Sequence, residues 1–296
     1  MTVDLIVNPA SGPGVGALPR GDRLAYATRA LEALGADVVR PTATAAAGDG
    51  ARAVRDGVGR GTDRVVVWGG DGTINEVAAA VLHSGIPLGI VAGGSGNGFA
   101  RGLGLPGGVA AALRVAVRGR TRQVDTGTVG GRLFLNLAGV GFDAAVAARF
   151  NHQNERRGLR PYVSAIVHEW WRFPPRRFEI TLDDNPPVWL DAHLVVVCNG
   201  QQYGHGARIA PQASFDDGVL DVVAVPALTL RRLVWHGWRL IDGSLARVPG
   251  MLMARATRVT LAQDEALPVH LDGEVADSAT RRTFEVRPGS LCVMCP

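Results

Sequence analysis

Residues 66–76 read VVWGGDGTINE, a run of strand-forming residues that ends in a turn of three glycines and one aspartate before a helical pattern begins near Thr73. A strand, a tight turn and a helix in this order are typical of a βα unit in a parallel α/β sheet. The glycines allow the backbone to approach a phosphate, and the N-terminus of the helix directs its N–H groups towards an anion. Asp71 would repel a phosphate unless a cation lay between them, so the stretch favours a nucleotide bound together with Mg²⁺.

The same alternation of strand and helix patterns extends over roughly the first 120 residues and predicts an open parallel α/β sheet. Two more glycine-containing loops follow strands, NPASGPG at residues 8–14 and GGSGNG at residues 93–98. One such loop is explained equally well by a tight turn. Three such loops at the carboxyl edge of one sheet predict a phosphate site, because ligands of open α/β sheets bind at that edge. The first loop is a poor match to the Gly-x-Gly-x-x-Gly of dinucleotide-binding folds.

The pattern changes after residue 122. Short strand-like segments are separated by hairpin signals such as Gly130-Gly131 and Asp183-Asp184-Asn185, with helical patterns near residues 159–172 and 228–241. This arrangement predicts a mainly antiparallel β-sandwich. We therefore expect an α/β nucleotide-binding domain over residues 1–121 and a β-sandwich domain over residues 122–296, with the active site in the interdomain cleft.

The charged residues restrict how a phosphate can be bound. All 31 basic residues are arginines, and the formal net charge is +4. The chain therefore contains no Walker lysine and no lysine that could form a Schiff base. A phosphate must be held by backbone N–H groups, arginine or a metal. The mild positive charge suits an anionic substrate or a membrane surface and does not indicate a nucleic-acid partner.

The cysteines and apolar segments indicate a cytoplasmic protein. The three cysteines cannot form a disulfide framework, and Cys292-Val-Met-Cys295 has no second pair of ligands for zinc. No uncharged apolar run approaches the ~20 residues of a transmembrane helix, and the strand-like N-terminus is too short for the core of a signal peptide.

Five motifs carry a resemblance to a known family: NPASG (8–12), GGDGTINEVA (69–78), SGNGFARGLGLP (95–106), IAPQASFDDGVLDV (209–222) and LDGE (271–274). Their order and spacing resemble the diacylglycerol kinase catalytic family, which includes bacterial soluble lipid kinases and sphingosine kinase-like enzymes. The resemblance covers nearly the whole chain. GGDGT alone also occurs in NAD kinases, whereas the last two motifs favour a lipid kinase.

The resemblance implies an ATP- and Mg²⁺-dependent lipid kinase of phospholipid biosynthesis, with Asp272 as the catalytic proton acceptor and Asp71 as the second catalytic carboxylate. From the residues alone, Asp272 beside Gly273 is also explained as a turn residue. The resemblance further implies that ATP contacts Asn8, Thr44, Gly69, Gly70, Asp71, Gly72, Thr73, Ile74, Asn75 and Ser95. It implies that Asp71 and Asp125 belong to a Mg²⁺–water network, and that Ser214, Asp217 and Val219 form a structural divalent-cation site.

Two positions depart from the family pattern. Pro13 stands where the family commonly has Lys or Arg, and Gly98 stands where it commonly has Asp. A catalytically weak nucleotide-binding or regulatory module therefore remains an alternative, as does an NAD kinase-like enzyme. The sequence leaves open which lipid alcohol accepts the phosphate and whether the chain forms a homodimer.

A lipid kinase must reach its substrate at a membrane surface, so we expect peripheral contact with the inner membrane face. One candidate segment combines aromatic residues with arginines: Trp170, Trp171, Arg172, Phe173, Arg176 and Arg177. A core-facing helix followed by a Pro-Pro linker is the preferred interpretation of this segment. In the second helical pattern, Leu230, Leu233, Val234 and Ile241 are expected to share a buried face. His205 is interpreted as a loop residue of the cleft.

Overall fold

The computed structural model describes residues 1–12, 22–58, 60–142, 144, 146, 172–203 and 207–296. They form two compact units, residues 1–125 with 289–296 and residues 126–288. The last residues, 289–296, had been assigned from the sequence to the second domain. Several of the sequence predictions lie outside the described residues: the helix near residues 159–172, and the positions Pro13, Trp170, Trp171 and His205.

The first unit is a parallel sheet with helices between its strands. Its elements in chain order are β1 (Thr2–Val7), α1 (Arg23–Ala33), β2 (Asp37–Ala43), α2 (Asp49–Val58), β3 (Arg64–Gly69), α3 (Asp71–Val81), β4 (Leu88–Ala92), α4 (Gly98–Gly102) and α5 (Val109–Arg118). The strands lie in the order β2-β1-β3-β4, and each neighbouring pair is parallel. The predicted open α/β sheet is confirmed.

The strands of this sheet are apolar because helices cover them. Val3, Leu5 and Val7 of β1 are fully buried, in a cluster with Leu31 of α1 and Leu113 of α5. Continuous buried runs of this kind are typical of parallel strands, which pack on both faces. The approach of α5 to β4 is close enough to require glycine at residue 89, since a Cβ there would lie 2.5 Å from the Cβ of Ala116.

The second unit is mainly antiparallel. Its elements are β5 (Arg120–Val129), β6 (Arg132–Phe134), β7 (Leu137–Gly141), β8 (Arg176–Leu182), β9 (Val188–Cys198), β10 (Leu220–Pro226), α6 (Leu230–His236), α7 (Arg239–Asp242), a 3₁₀ turn (Leu245–Arg247), β11 (Leu252–Ala256), β12 (Arg258–Leu271) and β13 (Glu274–Cys295). The chain enters this unit along β5 and leaves it along β13, whose end pairs in parallel with β4 through Val293 and Leu88.

The β-sandwich follows from how four strands pair. β7 and β8 each pair with both β9 and β12, and all four pairings are antiparallel. Phe178, Val195 and Val259 are fully buried in the cluster that these strands share. The predicted hairpin at Gly130-Gly131 is confirmed, because both glycines have positive φ and Val129 pairs with Arg132, as a two-residue hairpin turn requires.

The helical segment predicted over residues 228–241 is divided into α6 and α7. The prediction that Ile241 is buried is wrong, because its side chain is 64% exposed. The break after His236 interrupts the helical periodicity on which that prediction depended. The side chains of Leu230, Leu233 and Val234 lie outside the described part of the chain. Across the described residues, none of the helices combines the length and apolar character that spanning a bilayer requires.

Candidate active site

The first glycine-containing loop is joined to the second by Asn8, the residue after β1. Its Nδ2 donates a hydrogen bond to Oγ1 of Thr73 over 2.8 Å, and its Oδ1 accepts the N–H of Ala10 over 2.9 Å. The backbone N–H of Asn8 donates to the carbonyl of Trp68 in β3. Through its side chain and its backbone, Asn8 therefore ties the end of β1 to α3 and to β3 at the carboxyl edge of the sheet.

The glycine–aspartate turn connects β3 directly to α3. Gly70 is the N-cap in an extended conformation, and Asp71 is the first residue of the 11-residue helix. A Cβ at Gly69 would lie 2.6 Å from the Cβ of Thr73, so only glycine allows Thr73 to stand where Asn8 reaches it. The first N–H groups of a helix lack partners within the helix, which makes this turn chemically suited to an anion.

The third loop is closed by Asn97, which has a left-handed backbone with φ of +52°. Its Oδ1 accepts the N–H of Gly94 and its Nδ2 donates to the carbonyl of Gly94, both over 2.9 Å. The backbone N–H of Asn97 donates to Oδ2 of Asp71 over 2.8 Å. The carboxylate of the glycine–aspartate turn is thus held by the third loop, and the three loops predicted to share one edge are brought together.

Asn97 belongs to the SGNGFARGLGLP motif, but no role for it was predicted from the sequence. Its position between Gly96 and Gly98 was the available signal, because asparagine tolerates a left-handed backbone and bonds locally to a turn. The position that departs from the family pattern, Gly98, is buried and begins α4.

The remaining predicted nucleotide contacts divide into two groups. Thr44 lies at the same edge, since its N–H donates to the carbonyl of Val7 over 2.9 Å. Ser95 lies in the third loop between Gly94 and Asn97, which are joined by the side-chain amide of Asn97. Ile74 differs, because its side chain is only 1% exposed and its N–H donates to Gly70 over 3.0 Å. Its side chain therefore lies in the interior of the first unit.

Glu76 and Arg23, which the sequence had not singled out, support the loops from outside. The carboxylate of Glu76 accepts the N–H groups of Gly48 (3.0 Å) and Ala51 (2.8 Å), and so holds the segment that follows Thr44. Arg23 is fully buried, and its Nη1 donates to the carbonyl of Ser11 over 2.6 Å. Its guanidinium carbon lies 5.5 Å from the ring centroid of Trp68.

Asp272, in the second unit, lies in the turn between β12 and β13 with φ of +51°. Its Oδ1 accepts the N–H groups of Asn136 (2.8 Å) and Leu137 (3.1 Å), and its Oδ2 accepts the N–H of Leu135 over 2.7 Å. Its own N–H donates to the carbonyl of Leu137 over 2.9 Å. The carboxylate therefore fixes the segment between β6 and β7, a structural role in addition to the predicted role as a base.

The residues predicted for the two divalent-cation sites belong to different units. Asp125 belongs to the first unit, where its Oδ1 accepts the N–H of Gly289 over 2.7 Å. Ser214 and Val219 belong to the second, where the N–H of Val219 donates to Asp217 over 3.3 Å. Among the described residues, no three His, Cys, Asp or Glu side chains are grouped so that they could hold a metal.

Arg255 already neutralises the carboxylate predicted as the metal ligand. Its guanidinium forms an ion pair with Asp217, and its Nε lies 3.7 Å from Oδ2 of Asp221. The latter distance is too long for a hydrogen bond, and burial raises the pKa of Asp221 to about 6. A divalent cation at Asp217 would have to displace the guanidinium, so these residues do not fit a resident metal as they stand.

Comparison with known proteins decides the family. Residues 2–129 match the diacylglycerol kinase catalytic domain, and residues 136–295 match the YegS C-terminal NAD kinase beta sandwich-like domain. A diacylglycerol kinase of Mycobacterium tuberculosis is 30% identical over 300 residues, which cover 99% of this chain and 95% of that protein. The chain belongs to the diacylglycerol kinase family.

Other members of the diacylglycerol kinase family agree with this assignment. A protein of Chromohalobacter salexigens described as a probable lipid kinase, YegS-like, is 34% identical over 261 residues, covering 84% of this chain and 81% of that protein. The chain is therefore a lipid kinase.

Solved structures support the fold. A diacylglycerol kinase from Bacillus anthracis superposes with a TM-score of 0.73 at 22% identity, covering all of this chain and 97% of that one. An NAD kinase from Archaeoglobus fulgidus, solved with ATP, has a TM-score of 0.56 at 13% identity, covering 99% and 93% of the two chains. Both likenesses concern the fold alone.

Proposed function

We propose that this lipid kinase transfers the γ-phosphate of ATP, bound as its Mg²⁺ complex, to the hydroxyl of a lipid such as diacylglycerol. The observation that carries the proposal is the position of Asp71. Its carboxylate stands at the start of α3, among three glycine-containing loops, and is held by the N–H of Asn97. A carboxylate in a phosphate-binding turn has a chemical reason to be there when a cation accompanies the phosphate.

In this proposal the first unit binds the nucleotide. The backbone N–H groups of Gly70, Gly72 and the start of α3 face the phosphates, with Asn8 and Thr73 fixing the turn. Asp71 contacts the Mg²⁺ that arrives with ATP, directly or through water. Phosphoryl transfer needs positioning and charge neutralisation more than covalent chemistry, so fixed N–H groups and one carboxylate suit it.

Asp272 is proposed to accept the proton of the lipid hydroxyl as the oxygen–phosphorus bond forms. The bonds from Leu135, Asn136 and Leu137 hold its carboxylate in one orientation. These hydrogen bonds also occupy lone pairs of the carboxylate, because each oxygen accepts at least one N–H. In this proposal the lipid hydroxyl approaches the carboxylate from the side opposite these N–H groups.

The membrane is the proposed site of action. The lipid substrate lies in a bilayer, so the protein is proposed to be a cytoplasmic enzyme bound peripherally to the inner membrane face. Of the aromatic segment described in the sequence, Phe173 packs against the core of the second unit and Arg176 pairs with Glu265 over 3.0 Å. Phe173 and Arg176 are therefore engaged within the fold.

The test compares two aspartates at opposite ends of one strand. Asp71→Asn removes the negative charge that follows β3, whereas Asp63→Asn alters a carboxylate that precedes β3 and accepts the N–H of Thr2 over 2.7 Å. We expect Asp71→Asn to lose at least roughly 10²-fold in Mg²⁺-dependent transfer of labelled phosphate to diacylglycerol while remaining folded. The Asp63→Asn control should retain transfer.

Three results would overturn the proposal. Normal transfer by Asp71→Asn would remove the carboxylate from the reaction. Phosphorylation of NAD, with no lipid in an extract labelled, would instead identify an NAD kinase-like enzyme. ATP binding without turnover on any extracted lipid would identify a regulatory nucleotide-binding protein.

A further inference from the structure

Three large apolar side chains are exposed in the segment that contains α6 and α7. Trp235 is 75%, Trp238 55% and Ile241 64% exposed. They follow one another at intervals of three residues, and the N–H of Ile241 donates to the carbonyl of Trp238 over 2.9 Å, as in a helical turn. We call these three residues the tryptophan surface.

The other side of the same segment is anchored to the second unit. Leu240 packs against the cluster that contains Leu137 and Val196, and its carbonyl accepts the N–H of Arg208 over 2.6 Å. A Cβ at Gly243, just after α7, would lie 3.4 Å from Pro211 of the IAPQASFDDGVLDV motif. The tryptophan surface is thus held in place beside a motif of the kinase family.

Arginines surround the tryptophan surface. Arg231 and Arg232 are exposed and precede Trp235 by four and three residues, spacings that place side chains on one helical face. The guanidinium carbon of Arg239 lies 4.8 Å from the ring centroid of Trp238, and its Nη1 donates to Ser244 over 3.0 Å. Residues 230–242 contain three arginines against one acidic residue, Asp242.

We propose that the tryptophan surface docks on an anionic lipid bilayer. Indole rings and long arginine side chains combine an apolar body with a polar end, which is the composition of the membrane–water interface. The net positive charge complements the negative surface of a cytoplasmic leaflet. This inference rests on the proposed function, because a lipid kinase needs its lipid-binding unit at a membrane.

Charge also argues against a second copy of the chain as the occupant. A two-fold symmetric contact through this surface would bring Arg231 and Arg232 of both copies into one interface. Like charges opposed in an interface are unfavourable, whereas the phosphates of an anionic bilayer pair with every arginine.

The test measures binding to vesicles without ATP, so that its outcome is independent of catalysis. Full-length protein is floated with vesicles of phosphatidylcholine alone and with vesicles in which roughly a third of the lipid is phosphatidylglycerol. The wild type should bind the anionic vesicles. A triple variant, Trp235→Ser/Trp238→Ser/Ile241→Ser, should lose roughly tenfold or more in partition, because burial of even one such side chain is worth that much.

Two further variants separate apolar and charge effects. Arg231→Ser/Arg232→Ser should lose roughly 25-fold on anionic vesicles, about fivefold for each arginine, and little on neutral ones. The matched control is Trp189→Ser on β9. Trp189 is 54% exposed, and the guanidinium carbon of Arg177 lies 5.2 Å from its ring centroid, so it forms a similar aromatic–arginine pair elsewhere.

The outcomes are separable. Binding by the triple variant equal to wild type overturns the inference, and so do equal losses in the triple variant and Trp189→Ser. A wild-type dimer that becomes monomeric in the triple variant, with vesicle binding retained, would assign the surface to a second copy instead. If the triple variant fails to fold, Trp235→Ser alone, which changes the most exposed residue, takes its place. Vesicle binding without lipid phosphorylation would refute the proposed function and leave the surface in place.

Discussion

Asp272→Asn tests whether this aspartate acts as a base or only as a structural residue. An asparagine keeps the shape of the side chain, and its single oxygen can still accept the N–H groups of Asn136 and Leu137. Its NH₂ group then faces the N–H of Leu135, which at present donates to Oδ2 over 2.7 Å. Two donors would oppose each other, and the bonds that remain would lose the assistance of a charge.

The size of the effect follows from these bonds. A hydrogen bond to a charged group is worth about 1.5–3 kcal/mol, and a buried donor left without an acceptor costs a similar amount. We expect the variant to lose about 2–3 kcal/mol of unfolding free energy, which corresponds to a fall of roughly 4–12 °C in melting temperature. Loss of a general base should in addition lower kcat by roughly 10²- to 10⁴-fold in the folded fraction.

Asp183→Asn supplies the matched control. Asp183 also has a left-handed backbone, with φ of +51°, and its Oδ1 accepts the N–H groups of Thr257 and Arg258, both over 2.9 Å. It therefore has the same structural role in another turn. Both variants should lose stability, and only Asp272→Asn should lose kcat, with nucleotide affinity unchanged. Normal kcat in folded Asp272→Asn protein would remove the base from the mechanism. An unchanged melting temperature would refute the reasoning from the hydrogen bonds.

Three further predictions concern the loops, the ion pair and a buried histidine. Asn97→Gly keeps a left-handed backbone but removes two hydrogen bonds to Gly94; calorimetry should show the Kd for ATP raised roughly tenfold, and an unchanged Kd would contradict the role of this loop. Arg255→Gln leaves Asp217 without its cation, so the melting temperature should fall by roughly 2–4 °C, and Mg²⁺ should partly restore it. A chelator should not change the melting temperature of the wild type; if it does, a resident metal is present. Burial lowers the pKa of His193, so the unfolded chain takes up the proton before the folded chain does. The stability present above pH ~6.5 should therefore decline as the pH falls below it. An equal decline in a His193→Gln variant would disprove this account.

The local features of the fold could be predicted from the sequence because their causes are local. Glycines after a strand, alternating apolar residues and a Gly-Gly hairpin each act within a few residues of the chain. The α/β sheet, the turn before α3 and the hairpin at Gly130-Gly131 are therefore where the pattern predicts them. The grouping of three loops at one edge also followed, because it is a general property of parallel sheets.

The features that the sequence did not reveal depend on distant partners. The three N–H groups that Asp272 accepts come from residues more than 130 positions earlier in the chain. Arg23 donates to the carbonyl of Ser11, 12 positions earlier in the chain, and Arg255 of β11 pairs with Asp217 in the loop before β10. Hydrophobic periodicity carries no information about such pairs. It also failed for Ile241, because a break in the helix changes which face is buried.

The long strand β13 has a consequence for how the chain folds during synthesis. Residues 289–296 belong to the first unit, where Val293 pairs with Leu88 and the carbonyl of Ser290 accepts the N–H of His83. The ribosome produces residues 126–288 before these partners of β4 emerge. Until residues 289–296 emerge, the first unit is incomplete and the edge of β4 is uncovered. The second unit already has all its residues and can fold earlier. A fragment cut near residue 125 should share this exposed edge and tend to aggregate, whereas restoring residues 289–296 through a short linker should make it soluble.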